Sequence, residues 1–188
     1  VACEANDYNM STNKIIESNS IGLDSIGLNH KIMGWREWIA LPNLNIPIIK
    51  AKIDTGARTS SLHAFRVKTY SERGAPMVQF CIHPLQRRRD IVVESHAPVV
   101  DYRVVSDSGG HRERRLVIVT PLLVGGIELP IEITLANRES MVFRFLLGRT
   151  AISPFLLDSS KSFLLGRPTK KTSLFYLPPA KKVRKSHL

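Results

Sequence analysis

Cysteine is nearly absent from this chain. Cys3 and Cys81 are the two present in 188 residues, which excludes a disulfide framework and makes a reducing, cytoplasmic compartment the simplest expectation. Aromatic residues are scarce at 7%, and they do not alternate with basic residues, so stacking of nucleic-acid bases on a sheet is not suggested. No apolar stretch is long enough to span a bilayer as a helix, and the first residues carry no signal peptide. Val1-Ala2-Cys3 does fit the small residues that precede a lipidated cysteine, so a periplasmic or lipid-anchored location is the alternative.

Several catalytic signatures are missing too. There is no His-Glu-x-x-His, which would set two imidazoles one helical turn apart beside a general base. There is no Gly-x-x-x-x-Gly-Lys-Ser/Thr phosphate loop, and no Gly-x-Ser-x-Gly nucleophile elbow. His63, His83, His96 and His111 repeat no metal-ligand spacing, and Cys81 lacks the context of a nucleophile. No metal site and no cofactor are expected.

Acids are in deficit, 16 against 27 lysines and arginines, for a net charge of +11. The first thirty residues run the other way, with four acids (Glu4, Asp7, Glu17, Asp24) and one base, Lys14. The remainder is therefore more basic than the whole. Such an excess is either a solvated surface or an attraction for an acidic partner.

What the sequence does contain is a strand that ends in a carboxylate. Along Ile48 to Asp54, Ile49, Ala51 and Ile53 share one face while Lys50, Lys52 and Asp54 share the other. The strand breaks at Asp54-Thr55-Gly56-Ala57, where Thr55 can bond the turn backbone and Gly56 allows close approach of another chain. A second element, Phe145-Leu146-Leu147-Gly148-Arg149-Thr150-Ala151-Ile152, is an apolar strand that breaks at Gly-Arg into a short helix.

An Asp-Thr-Gly-Ala turn followed later by an apolar run into Gly-Arg resembles the retroviral-type aspartic proteases. A closer resemblance, over about residues 33 to 168, is to the bacterial retropepsin-like aspartic protease family often labelled "ATP-dependent zinc protease". It rests on Gly34-Trp35-Arg36-Glu37-Trp38, on Lys50 to Ala64 (KAKIDTGARTSSLHA), on Glu132 to Arg138 (EITLANR), on Phe145 to Arg149, and on Ser162-Phe163-Leu164-Leu165-Gly166. The resemblance implies an all-β fold, a single-lobe retropepsin-like acid-protease barrel with one short helix. It also implies an aspartic-type peptidase with Asp54 catalytic, with Thr55, Gly56 and Ala57 binding substrate backbone, and with Gly148 and Arg149 as structural support. Some family members are associated with ATP-grasp glutamate ligases, so a functional link to such a ligase and a glutamate-rich substrate are expectations, and the ATP of the label belongs more naturally to that neighbour. Viral relatives carry an acid after Asp-Thr-Gly-Ala that pairs with the later arginine. Here that position is Arg58, so Arg149 must find another partner. Ser60, Ser61 and His63 are either pocket residues or local backbone caps.

The length allows one lobe. Residues 1–31 read as a flexible N-terminal extension, 32–168 as the protease domain and 169–188 as a basic tail ending in Lys181-Lys182-Val183-Arg184-Lys185. Within the domain, hairpins are expected for Phe65–Tyr70 with Met77–His83, Asp101–Ser106 with Arg114–Thr120, Leu122–Val124 with Ile127–Leu135 about Gly125-Gly126, and Phe155–Leu157 with Phe163–Leu165. The hairpin bearing Gly109 and Gly110, over residues 102 to 118, occupies the place of a substrate-covering flap, which adds both glycines to the substrate-binding set. Arg112, Arg114 and Arg115 then either face solvent or contact acidic substrate. Asp107-Ser108-Gly109 also spells a catalytic turn, but charged residues follow it where a core strand should continue, so Asp107 reads as a turn former.

One carboxylate per lobe implies a homodimer, because two aspartates on a twofold axis can share a proton that one alone would lose at neutral pH. Two other readings stand beside hydrolysis. One is a catalytically idle peptide-binding or dimerisation module, and the other is a basic protein that binds nucleic acid through its tail.

Overall fold

The computed structural model describes residues 30–106, 110, 112–137, 139 and 142–167. The N-terminal extension, the basic tail, Asp107 and Gly109 lie outside the described residues. Twelve strands, one α-helical turn and a 3-10 turn at Pro42–Leu44 are described: β1 (Ile32–Gly34), β2 (Arg36–Leu41), β3 (Ile46–Asp54), β4 (Ser60–His63), β5 (Phe65–Glu72), β6 (Ala75–Ile82), β7 (Val93–Pro98), β8 (Asp101–Ser106), β9 (Arg112–Val124), β10 (Ile127–Ala136), β11 (Phe145–Gly148), α1 (Arg149–Ile152) and β12 (Leu156–Asp158). The fold is all-β with one short helix, as expected.

The strands β10-β4-β11-β3-β2-β9 are neighbours in that order, and β9 also pairs with β10, so the sheet closes into a six-stranded barrel with β8 added at the outer edge of β9. Closure removes the unpaired edges that an open sheet leaves. Alternation on β3 places Ile49, Ala51 and Ile53 in the core, against Leu62, Phe145 and Leu147 from the neighbouring strands. Each large apolar side chain buried there stabilises the fold by about 1.5–3 kcal/mol. A separate antiparallel sheet, β5-β6-β7, lays Val78, Phe80 and Ile82 onto the same core.

Turn chemistry located most hairpins and misjudged some lengths. Gly125 and Gly126 both have positive φ (57° and 77°), the conformation of a two-residue primed turn, and they join β9 to β10 as expected. The β5–β6 connection is tighter than expected, because Arg73 and Gly74 alone turn the chain at φ 51° and 83°. The two strands expected at Arg114–Thr120 and Leu122–Val124 are one continuous strand, β9. Pro121 interrupts nothing there, since it sits opposite Pro130 and the two missing N–H donors fall on a single rung.

The expected hairpin of Phe155–Leu157 with Phe163–Leu165 does not form. Instead β12 pairs in parallel with β1, and the second segment is held by a carboxylate. Glu37, fully buried, accepts from Gly34 N at 2.6 Å, Leu164 N at 2.9 Å and Leu165 N at 3.3 Å. Those amides are consequently unavailable to a partner strand. Two motifs at opposite ends of the domain are thereby tied together, and Gly34 is required at the joint because a Cβ there would lie 2.5 Å from Lys161 O.

Candidate active site

The site begins with a topological constraint. β3 and β4 are consecutive, yet β11 lies between them, parallel to β3 with Gly148 beside Asp54, and antiparallel to β4 with Leu146 beside Ser61. The turn from Asp54 to Ser60 must therefore arch over the end of β11. It passes so close that a Cβ on Gly148 would sit 2.6 Å from Thr59 C and 2.7 Å from Arg58 O. Only glycine fits there.

Hydrogen bonds to its main-chain groups, from side chains and backbone alike, fix this turn. Gly56 N and Ala57 N donate to Asp54 Oδ1 at 3.1 and 3.2 Å, while the turn carbonyls point the other way. Arg149 Nη1 donates to Thr55 O and Gly56 O at 2.9 and 3.0 Å. Arg149 N donates to Ala57 O at 2.9 Å, and Thr150 N to Arg58 O at 3.2 Å. Four successive carbonyls are thus satisfied by one Gly-Arg-Thr segment. These are the partners Arg149 takes where viral relatives use an acidic side chain. Ser60 Oγ accepts from Gly148 N at 3.1 Å, so Ser60 caps backbone.

Above Asp54 lies a cleft of about 810 Å³. Its floor is Asp54, Gly56, Ala57 and Arg58, and its other walls include Arg103, Val105 and Ser106 of β8, Arg115 of β9, and Glu132 and Thr134 of β10. The hairpin expected as a flap therefore borders the same cleft as the carboxylate. Gly110, in its connection, has φ 79°. Asp54 itself is half-buried.

Charge in the cleft is largely compensated, which composition did not foretell. Arg103 bridges the hairpin to the barrel, reaching Glu132 Oε2 at 2.8 Å, Thr59 Oγ1 at 3.2 Å and Asp101 Oδ2 at 3.0 Å. Hydrogen bonds to Glu132 and then Asp101 push the Arg103 pKa up, and the bond from Arg103 holds the Glu132 carboxyl below the usual carboxylate range. Arg115 is buried with Nε on Glu113 Oε2 at 2.8 Å. Arg114, on the opposite face of its strand, stacks its guanidinium 4.8 Å from the Tyr102 ring centre.

Of the other residues singled out, Ser61 lines the cleft, with its hydroxyl buried and without a hydrogen-bond partner. His63 does not line it. It is buried at the joint with the three-stranded sheet, where its ring lies 6.4 Å from that of Phe65, which in turn stacks on His83 at 4.5 Å. Burial, and next the Arg144 charge, lower its pKa. Among the described residues no group of three or more His, Cys, Asp or Glu side chains could hold a metal ion. No described helix is long and apolar enough to cross a membrane. Sequence reasoning missed Thr59, Arg103 and Glu132, which come from distant parts of the chain. The one local signal was the Asp101-x-Arg103 spacing, which puts both side chains on one face of a strand.

A closed barrel whose Asp-Thr-Gly turn is seated on an inserted Gly-Arg strand is the single-lobe acid-protease architecture. Residues 32–168 match the family described as RimB-like, retropepsin-like aspartic endopeptidase RimB, and the chain belongs to that family. Among curated proteins it is 45% identical over 139 residues to a probable alpha-L-glutamate ligase of Shewanella pealeana, a match covering 73% of this chain and 30% of that protein. A protein of the same description from Desulfotalea psychrophila is 43% identical over 143 residues, covering 76% and 31%. The chain thus spans less than a third of these relatives' length. A crystal structure of a Legionella pneumophila protein of unknown function superposes with a TM-score of 0.61 at 25% identity, covering 72% of this chain and 98% of that one.

Proposed function

We propose that the chain is an aspartic endopeptidase that acts as a homodimer and cuts acidic, glutamate-rich peptides. The observation that carries this reading is the setting of Asp54, half-buried under a large cleft with two amides on a single oxygen, Oδ1. Those donors fix the orientation of the carboxylate at the floor of the cleft, where its oxygens can accept from a bound water. Hydrolysis also needs a carboxylic acid. Glu132 lines the cleft but is held ionised by Arg103, so it cannot share a proton with Asp54. A second Asp54, brought by a partner copy, supplies the missing acid.

The chemistry then balances without a covalent intermediate. The ionised carboxylate takes a proton from water as its oxygen attacks the scissile carbonyl carbon, and the protonated one gives its proton to the carbonyl oxygen. In the second step the carboxyl that took the water proton gives it to the amide nitrogen while the other carboxylate takes a proton from a hydroxyl of the tetrahedral diol, the C–N bond breaks, and the dyad is left sharing one proton. The hairpin of β8 and β9 covers the peptide in this scheme, with Gly110 in its connection, and Thr55 to Ala57 align the peptide backbone. In the longer relatives a segment like this one belongs to proteins named for glutamate ligation, which supports a glutamate-rich substrate and a functional link to an ATP-grasp glutamate ligase.

The test is cleavage of glutamyl peptides by the purified chain, alone and mixed with an Asp54→Asn variant. Dimeric chemistry predicts that the variant is inactive, at least about a thousandfold down, and that it poisons the wild type by forming mixed dimers. Activity that survives Asp54→Asn, or that falls only in proportion to dilution of the wild type, would contradict the proposal.

A further inference from the structure

The cations bordering the cleft differ in what they are already doing. Arg103 is shared between Asp101 and Glu132, and Arg115 holds Glu113. A peptide carboxylate would reach either of them by displacing a protein carboxylate already in place, and exchanging one ion pair for another gains little. Arg114 is stacked on Tyr102, on the face of β9 opposite Arg115. Net charge of +11 therefore does not make the cleft a general anion trap.

Arg58 stands apart from these. It lines the cleft, and its side chain is exposed. Among the described residues it forms none of the ion pairs that engage the other arginines of the cleft. Its backbone is nevertheless fixed, since Arg58 O accepts from Thr150 N at 3.2 Å and from Thr150 Oγ1 at 3.1 Å. A cation on an immobile root, in the same turn as Asp54, has a defined reach beside the reacting carboxylate. The field of Arg58 already extends to Glu132 across the cleft.

Resting on the function proposed above, we infer that Arg58 is the specificity-determining residue of the site: its guanidinium receives the side-chain carboxylate of a glutamate or aspartate flanking the scissile bond. A guanidinium suits this task because its parallel N–H donors match the two oxygens of a carboxylate, where an ammonium offers a point charge only. Discrimination between acidic and neutral peptides then depends on one side chain, and neither the hairpin arginines nor the overall charge contributes much.

Binding can be read apart from cleavage in the Asp54→Asn chain with fluorescent peptides that differ only by Glu or Gln at the flanking positions. The Glu peptide is expected to bind about tenfold more tightly at low ionic strength. Adding Arg58→Gln should erase the difference, Arg58→Lys should keep part of it, and Arg114→Gln should leave it unchanged. Circular dichroism and the unfolding midpoint confirm that each variant is folded. Equal binding of the two peptides, or a preference that survives Arg58→Gln, overturns the inference. Wild-type cleavage separates the two proposals. A chain that prefers the Glu peptide through Arg58 but cuts nothing contradicts the hydrolysis and leaves the role of Arg58 standing, whereas one that cuts both peptides equally well does the reverse.

Discussion

Two turns border the cleft, and they are built from opposite materials. In the turn from Asp54 to Ser60 the groups held are main-chain ones, carbonyls bonded to the Gly-Arg-Thr segment and amides bonded to the Asp54 carboxylate. The hairpin of β8 and β9 projects beyond the rungs that pair β9 with β10, and this outer part is tied back to the barrel by side-chain charges centred on Arg103. With every carbonyl from Thr55 to Arg58 bonded and the Arg58 and Thr59 backbone pressed against Gly148, the first turn has little room for another arrangement and is rigid. Exposed ion pairs exchange readily with water and other ions, so the second can open. A protease needs both properties, a carboxylate that stays in place and a cover that moves.

The most severe way to break that contrast is Gly148→Ala. The new methyl would meet the Thr59 and Arg58 backbone at 2.6–2.7 Å, where no flexible side chain can yield. The expected loss exceeds about 3 kcal/mol, beyond ordinary overpacking because backbone meets backbone. Urea denaturation measures it, and an unchanged midpoint would show that the turn is softer than its contacts suggest.

Arg149→Ala should come next. It removes two charge-assisted hydrogen bonds to Thr55 O and Gly56 O but spares the main-chain bonds of the same segment. Because the side chain is exposed, the expected loss is about 1–2 kcal/mol, with peptide cleavage falling more than stability does. Arg149→Lys should recover little, since an ammonium cannot span two neighbouring carbonyls in one plane.

Glu132→Gln tests the other turn. It removes one of two carboxylates from Arg103 and should cost less than about 1 kcal/mol of global stability. Its effect should instead be local, a several-fold faster hydrogen exchange at Ser106 and Arg112 with none at Gly56. Acid should imitate the variant. The folded Glu132 pKa lies below the ordinary value of 4.5, so its stabilising contribution is complete above that value and is lost as pH falls through the depressed one.

The smallest effect concerns His63, which belongs to neither turn. Its folded pKa lies below the ordinary 6.5, so on acidification the unfolded chain takes up a proton that the folded chain refuses. The residue therefore opposes folding as pH drops below about 6.5 and is silent above it. His63→Gln should flatten the pH dependence of unfolding between about pH 7 and about pH 5. An unchanged slope would assign that dependence to other groups.

The Asp-Thr-Gly turn was legible in the sequence because its logic is local. Alternation of Ile49, Ala51 and Ile53 with Lys50 and Lys52 declares a strand, and Asp-Thr-Gly declares where it stops. Gly148-Arg149 was legible as an element, but its contact with the turn was not. The same limit explains the failure at Phe163–Leu165, whose apolar run looks like a strand until a buried carboxylate 127 residues away takes the Leu164 amide. It also explains why one continuous β9 was expected as two strands, Arg114–Thr120 and Leu122–Val124, since the pairing of Pro121 with Pro130 is visible only in the sheet.

Sequence alone settled an all-β domain with a carboxylate at the end of a buried strand, because periodicity and turn chemistry act over a few neighbouring residues. Tertiary structure decided what holds that carboxylate's turn, which cations near it are already engaged, and which one is left to meet a ligand. Those answers depend on contacts between residues 94 positions apart, as for Arg149 and Thr55, or 29 apart, as for Arg103 and Glu132. Charge composition counts ionic groups without pairing them, and the pairs form only where strand order brings the groups within hydrogen-bonding distance.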